Sequence, residues 1–207
     1  MSDEENPRTL AAGLLRELGH EFVARDVDDE TLKDVATRIE TILAEVRTAP
    51  GRVRESSIAS YDQFHALVPE HGTGQPRQLW SDSVVSGAAN PMGLGAYLWR
   101  DGDQAVMEVT LGKAFEGAPT RAHGGIVAAL IDETMGLVLA INRTMAYTAQ
   151  LNVAYRAPTP VLVPLIARAW LERRDGRKLS MRATVTAGDV VAVEADALFI
   201  AVETFAP

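Results

Sequence analysis

The tripeptide His123-Gly124-Gly125 precedes a run, 124–141, that is apolar on nearly every side and has the length of a buried helix. At the start of such a helix the first backbone N–H groups have no partner within it and the dipole is positive, and glycines let a ligand oxygen come close. A carbonyl oxygen on its way to becoming an oxyanion is the kind of group this arrangement stabilises. The same three residues also suit a plain helix cap with a tight turn before it, and alone they do not separate the two readings.

Asp132 adds to them. A carboxylate in the middle of a mostly apolar helix is costly to bury, so it needs partners. Its helical neighbours Gly125, Ala128, Ala129 and Gly136 are all small, while the bulk of Ile126, Leu130 and Leu137 lies elsewhere. Something is expected to approach that face closely: a second helix, an extended ligand, or both in a symmetric dimer. Glu133, about 100° further round, is expected at solvent or a polar rim and is the weaker catalytic candidate. Downstream, Tyr147-Thr148-Ala149-Gln150-Leu151-Asn152-Val153 reads as a loop passing into a strand, in which Thr148 is ordinary strand vocabulary.

The elements that must position these residues follow from periodicity. Met107, Val109 and Leu111, then Leu151, Val153 and Tyr155, then Met181, Ala183, Val185 and Ala187 alternate with polar residues, as half-buried strands do. Longer runs of the same kind span 161–173 and 190–202. Asp175-Gly176 and Gly188-Asp189 supply hairpin turns, so the last three strands are predicted to be antiparallel neighbours. One apolar helix followed by such strands is best buried by wrapping the sheet around it, an α+β architecture. Asp132 and Glu133 at its centre make it too polar to span a membrane.

Before residue 50 the spacing of Leu10, Leu14, Leu18 and Phe22, and of Leu32, Val35, Ile39, Ile42 and Val46, predicts two amphipathic helices. Asp28 and Asp29 offer a cap for the second, and Ala49-Pro50-Gly51 a stop. Their stripes need a partner surface, expected on the main domain or a second subunit. A helical extension over 1–60 and a main domain over 61–207 are therefore expected, with an irregular, Gly/Pro-rich connection around 69–95. The chain carries 28 acidic and 20 basic residues, a net charge of −8. Residues 1–50 hold 12 of the acidic and 6 of the basic ones, so the acidity belongs to the extension. This charge argues against nucleic acid and anionic membranes as partners. With no cysteine there is no thiol nucleophile and no thiolate zinc site, and a cytoplasmic location is expected. The acidic start MSDEENP does not look like a targeting segment.

Taken together, His123-Gly124-Gly125, Asp132, Thr148–Val153, Tyr155-Arg156-Ala157-Pro158 and Gly176-Arg177-Lys178 resemble the hotdog-fold acyl-CoA thioesterases of the phenylacetate-pathway type. The resemblance covers roughly 85–203 and leaves the helical extension outside. It implies a hotdog fold, a long central helix wrapped by an antiparallel sheet, and hydrolysis of a fatty or aromatic acyl-CoA without metal or other cofactor. It also implies a homodimer or dimer of dimers with shared active sites. Carried over, Asp132 is nucleophile or general base, the N–H of Gly124 the oxyanion donor with Gly125 nearby, and Thr148 orients the carboxylate or water. Arg156, Arg177 and Lys178 are candidate contacts for the coenzyme A phosphates. Many relatives carry an Asn before His-Gly-Gly, whereas this chain reads FEGAPTRA over 115–122, so that His123 is expected to carry more of the orientation. A hotdog hydratase or dehydratase, which pairs an acid with a differently spaced histidine, and a non-catalytic acyl-CoA-binding module are the alternatives.

Overall fold

A computed structural model describes residues 6–52, 60–72 and 81–202. Residues 53–59, just before the expected boundary at 60, and residues 73–80 of the 69–95 connection lie outside the described residues. Helices α1 (Pro7–Ala24) and α2 (Asp29–Arg47) lead into the short α3 (Tyr61–Ala66), then β1 (Tyr97–Asp101), β2 (Gln104–Thr110), α4 (Gly124–Ile141), β3 (Ala146–Tyr155), β4 (Pro164–Asp175), β5 (Lys178–Ala187) and β6 (Val190–Ala201). The strands form one antiparallel sheet in the order β1-β2-β4-β5-β6-β3, as the hotdog expectation requires. Gly176 and Gly188, both at φ +57°, make the two tight turns of the β4-β5-β6 meander, a backbone region that glycine reaches without steric cost.

Helix α4 packs against β2, β4, β5 and β3. Leu130, Ile131, Met135 and Leu137 are fully buried there, each contributing roughly 1.5–3 kcal/mol by leaving water. By length and composition α4 passes for a membrane span, yet half of it is buried inside the protein. The opposite, half-buried side carries Gly125, Ala128, Ala129, Asp132 and Gly136, the small-residue face read from the sequence. The hydroxyl of Thr134, buried mid-helix, donates back to the Leu130 carbonyl at 2.6 Å.

Some expectations need correction. Neither α3 nor β1 was read from the sequence; β3 begins five residues before Leu151, and β4 begins at Pro164 instead of Val161. Both N-terminal helices form, α2 capped by Asp28, and of the two partner surfaces expected for their stripes the main domain is not the one they meet. Leu10, Leu14, Leu18 and Phe22 are exposed, as are Ile39, Ile42 and Val46. Helix α1 docks instead through the buried Ala12 and through Arg16 and His20. The His20 ring lies on Gly112, where a Cβ would come within 2.5 Å of it, accepts a hydrogen bond from the Ala114 N–H at 3.1 Å and meets the Phe115 ring edge-on.

Burial first, then Arg16, pushes His20 below its ordinary value, with Glu21 pulling the other way. The docked helix therefore binds fewer protons than the undocked one, and its docking strengthens as pH rises. That contribution is complete above the free histidine value near 6.5 and is lost below it. Hydrogen exchange of 8–24 is expected to speed up as pH falls below about 6.5, after correction for intrinsic rates. A His20→Gln variant should remove that pH dependence.

Candidate active site

Asp132 sits halfway along α4, held there by the buried side of the helix, and reaches toward the beginning of strand β3. Thr148 Oγ1 donates to Asp132 Oδ1 at 2.9 Å. The register of β3 on β6 slips between Thr148 and Gln150, so Ala149 is an extra residue, a bulge of the kind that re-aims a side chain beside a site. One carboxylate oxygen is thus fixed, and Oδ2 has no partner among the described residues. Beside the pair lies a mostly apolar cavity of about 350 Å³ walled by Phe64, Val84, Val85, Leu139, Met145 and Phe199. Glu133 does not turn to solvent: it takes the polar-rim alternative and accepts hydrogen bonds from Ser83 and Ser86.

His123 is the N-cap of α4, and its Nδ1 accepts the Gly125 N–H at 3.1 Å. An accepting Nδ1 leaves a neutral ring with its proton on Nε2, so the exposed edge of His123 is a donor. The Gly125 N–H is consumed by the cap, which leaves Gly124 as the donor with Gly125 beside it. The Gly124 N–H has no acceptor among the described residues. Tyr155 supports this turn: its hydroxyl donates to the Gly124 carbonyl at 2.6 Å, and a Cβ on Gly124 would lie 3.0 Å from that oxygen. Partial burial pushes the Tyr155 phenol up, so it stays a donor at neutral pH. Around these groups is a second hollow, of about 570 Å³, which Arg121, Arg156 and Thr159 also line. The Thr159 hydroxyl is buried and without a partner among the described residues.

The segment entering His123 is held under tension. Thr120, a β-branched residue, has φ +66°, a conformation costing on the order of 1–3 kcal/mol. It persists because Glu116 accepts its N–H and the Val161 N–H donates to its carbonyl at 3.2 Å. Lys113, 2.9 Å from Glu116, holds that carboxyl below the usual range, assisted by the Thr120 N–H.

Asp132 and Gly124 are eight residues apart on one helix, roughly 12 Å, and line different hollows. Nor does the fold gather the three expected cations. Arg177 and Lys178 lie beside the beginning of β3, where Arg177 donates to the Ala201 carbonyl; Arg156 lies past its end, paired with Glu194. A strand of ten residues, about 33 Å, separates them. Arg121, not among the cations expected from the sequence, lines the His123 hollow and makes no ion pair among the described residues. Tyr155 gains a role from the structure alone, and the sequence signal for it is the absence of a side chain on Gly124. No cluster of three or more His, Asp or Glu able to hold a metal occurs among the described residues.

Residues 120–194, which contain His123, Gly124, Asp132, Thr148 and Tyr155, match the thioesterase superfamily. Over 98 residues the chain is 37% identical to the acyl-coenzyme A thioesterase THEM4 of Mus musculus, covering 46% of this chain and 42% of that protein. The protein of the same name from Xenopus laevis is 34% identical over 91 residues, 43% of this chain and 41% of that one. The chain thus spans about two fifths of the length of the curated relatives it matches. A crystal structure of a thioesterase superfamily protein shares the fold over 95% of this chain and 91% of its own, with a TM-score of 0.79 at 24% identity. That coverage takes in the N-terminal helices.

Proposed function

We propose, from the thioesterase-superfamily domain at 120–194, that the protein hydrolyses fatty or aromatic acyl-CoA thioesters to free acid and coenzyme A. The observation that carries this reading is the Thr148–Asp132 hydrogen bond on the open, small-residue face of α4. It fixes one oxygen of a carboxylate and leaves the other for an acyl carbon or a water molecule. In one course Oδ2 attacks the carbonyl carbon, the C–S bond breaks, coenzyme A leaves as thiolate, and water hydrolyses the resulting anhydride. In the other, Oδ2 takes a proton from water as that water attacks the carbonyl carbon, and the C–S bond then breaks to release coenzyme A, whose thiolate can take that proton. In both, negative charge grows on the carbonyl oxygen, where the Gly124 N–H and the positive end of α4 stabilise it.

Each site, in this reading, is assembled from two copies of the chain. Strand β3 is a sheet edge with largely exposed residues, and the small face of α4 beside it is only half-buried. Pairing two β3 edges antiparallel about a twofold axis brings the start of one α4 opposite the middle of the other. The same operation sets Arg156 of one copy toward Arg177 and Lys178 of its partner, which supports a shared phosphate contact. The exposed stripes of α1 and α2 add apolar surface to such an assembly.

The test is a panel of acyl-CoA thioesters followed by free-thiol release. Hydrolysis of none of them by the folded protein, or loss of enoyl absorbance without thiol, would remove the reading; the second outcome would favour a hydratase. Thr148→Ala is expected to lower kcat about tenfold with KM little changed, since Thr148 orients a reacting group without itself reacting. A rise in KM alone would remove its orienting role.

A further inference from the structure

We propose that Glu133 and Arg16 are positioning residues that hold loop 81–96 as a wall of the cavity beside Asp132, and so set which acyl chains the site accepts. The proposal rests on the thioester reading above but arises from a different cluster of contacts. Ser83 Oγ donates to Glu133 Oε2 at 2.6 Å, and the Ser86 hydroxyl and N–H, the latter at 3.1 Å, both donate to Oε1. Ser86 is 0% and Ser83 5% exposed. Polar groups buried that deeply need an acceptor, and an ionised carboxylate makes the stronger, charge-assisted kind of hydrogen bond. No cation pairs with Glu133 among the described residues, so the loop is its partner.

Between the two serines the loop turns Val84 and Val85 to the cavity. Its own bonds make it one piece: the Gly87 N–H donates to Ser83, the Ala89 N–H to Ser81, the Leu94 N–H to Val84 and the Ala96 N–H to Val85. A Cβ on Gly87 would fall 2.3 Å from the Ser83 nitrogen, so the turn closes only with glycine. On its other side the loop is gripped by α1, where Arg16 donates to the Asn90 carbonyl at 2.7 Å and to that of Ala88 at 3.5 Å. The N-terminal extension is thereby linked through one compact loop to the residue next to Asp132. A wall held at both sides has one position, and a cavity with one depth discriminates among chain lengths; a released wall gives that up.

Glu133→Ala and Arg16→Ala, compared with wild type across acetyl- to long-chain acyl-CoA thioesters, read the effect directly. Glu133→Ala is expected to raise KM for the preferred chain about tenfold, leave kcat within about twofold and flatten the chain-length profile. Hydrogen exchange across 83–96, measured without substrate, is expected to speed up about tenfold or more in the same variant. Arg16→Ala should shift both readouts in the same sense and by less, and Glu133→Gln, which keeps one acceptor oxygen, should recover part of the loss. If Glu133→Ala does not fold, Ser83→Ala with Ser86→Ala removes the same bonds from the loop side and carries the same expectations. An unchanged profile with unchanged exchange overturns the proposal. So does an equal fall in kcat for every chain at constant KM, which would place Glu133 in the chemistry. If the wild-type protein hydrolyses no thioester, the thioester reading fails by itself, and exchange across 83–96 alone then decides whether the latch exists.

Discussion

Asp132→Asn is expected to lose about 10²- to 10⁴-fold in kcat, the range that removing a positioned acid or base commands. The amide keeps the shape of the carboxylate, and its oxygen can still accept from Thr148 Oγ1, so the local contact survives. What it loses is the negative charge that attacks the acyl carbon or takes the proton from water. Because Asp132 is half-buried on an open face, losing its charge costs the fold little, within about 1 kcal/mol. Thermal unfolding should therefore be nearly superimposable on wild type while thiol release collapses. Near-normal turnover in the folded variant would falsify the assignment to this carboxylate, whichever of its two courses the reaction takes.

The second large effect is a recovery. Gly124→Val places a branched side chain where even a Cβ lies 3.0 Å from the Tyr155 hydroxyl oxygen and 3.2 Å from its ring, so it crowds the oxyanion donor and is expected to be inactive. Unfolded and refolded together with Asp132→Asn, it should form mixed dimers in which one composite site has two damaged contributions and the other has none. Random pairing makes half of the dimers mixed with one intact site of two, so activity should return to roughly a quarter of wild type. The reason is geometric: roughly 12 Å along one helix is too far for groups that must meet within about 3 to 3.5 Å of one carbon. His123→Ala, which removes the Gly125 cap, serves if Gly124→Val does not fold. Mixed dimers verified by differential tagging that show no recovery would return the whole site to a single chain.

Much of this architecture was legible because it is written locally. Helix α4 runs over 124–141 as the length of its mostly apolar run dictates, and the β4-β5-β6 meander follows from two glycine turns. The open face around Asp132 was visible as the spacing of Gly125, Ala128, Ala129 and Gly136. Short elements were not legible: α3 has six residues and β1 five, lengths over which no period establishes itself.

What the tertiary structure decided is which surfaces meet. The spacing of Leu10, Leu14, Leu18 and Phe22 identified a helix and its apolar face but not its partner, and α1 docks on a different face, through Arg16 and His20. A helical wheel gave the direction of Glu133, yet only the arrival of loop 81–96, nearly fifty residues away in sequence, turns that direction into a latch. Arg156, Arg177 and Lys178 looked like one group in sequence until the pairing of β3 with β6 set them at opposite ends of a strand. Periodicity is a property of neighbours along the chain, enforced by backbone geometry, and so the sequence carried it. Contacts between distant segments depend on which carbonyls and cavities other elements leave unsatisfied, and those exist only once the sheet has closed around α4.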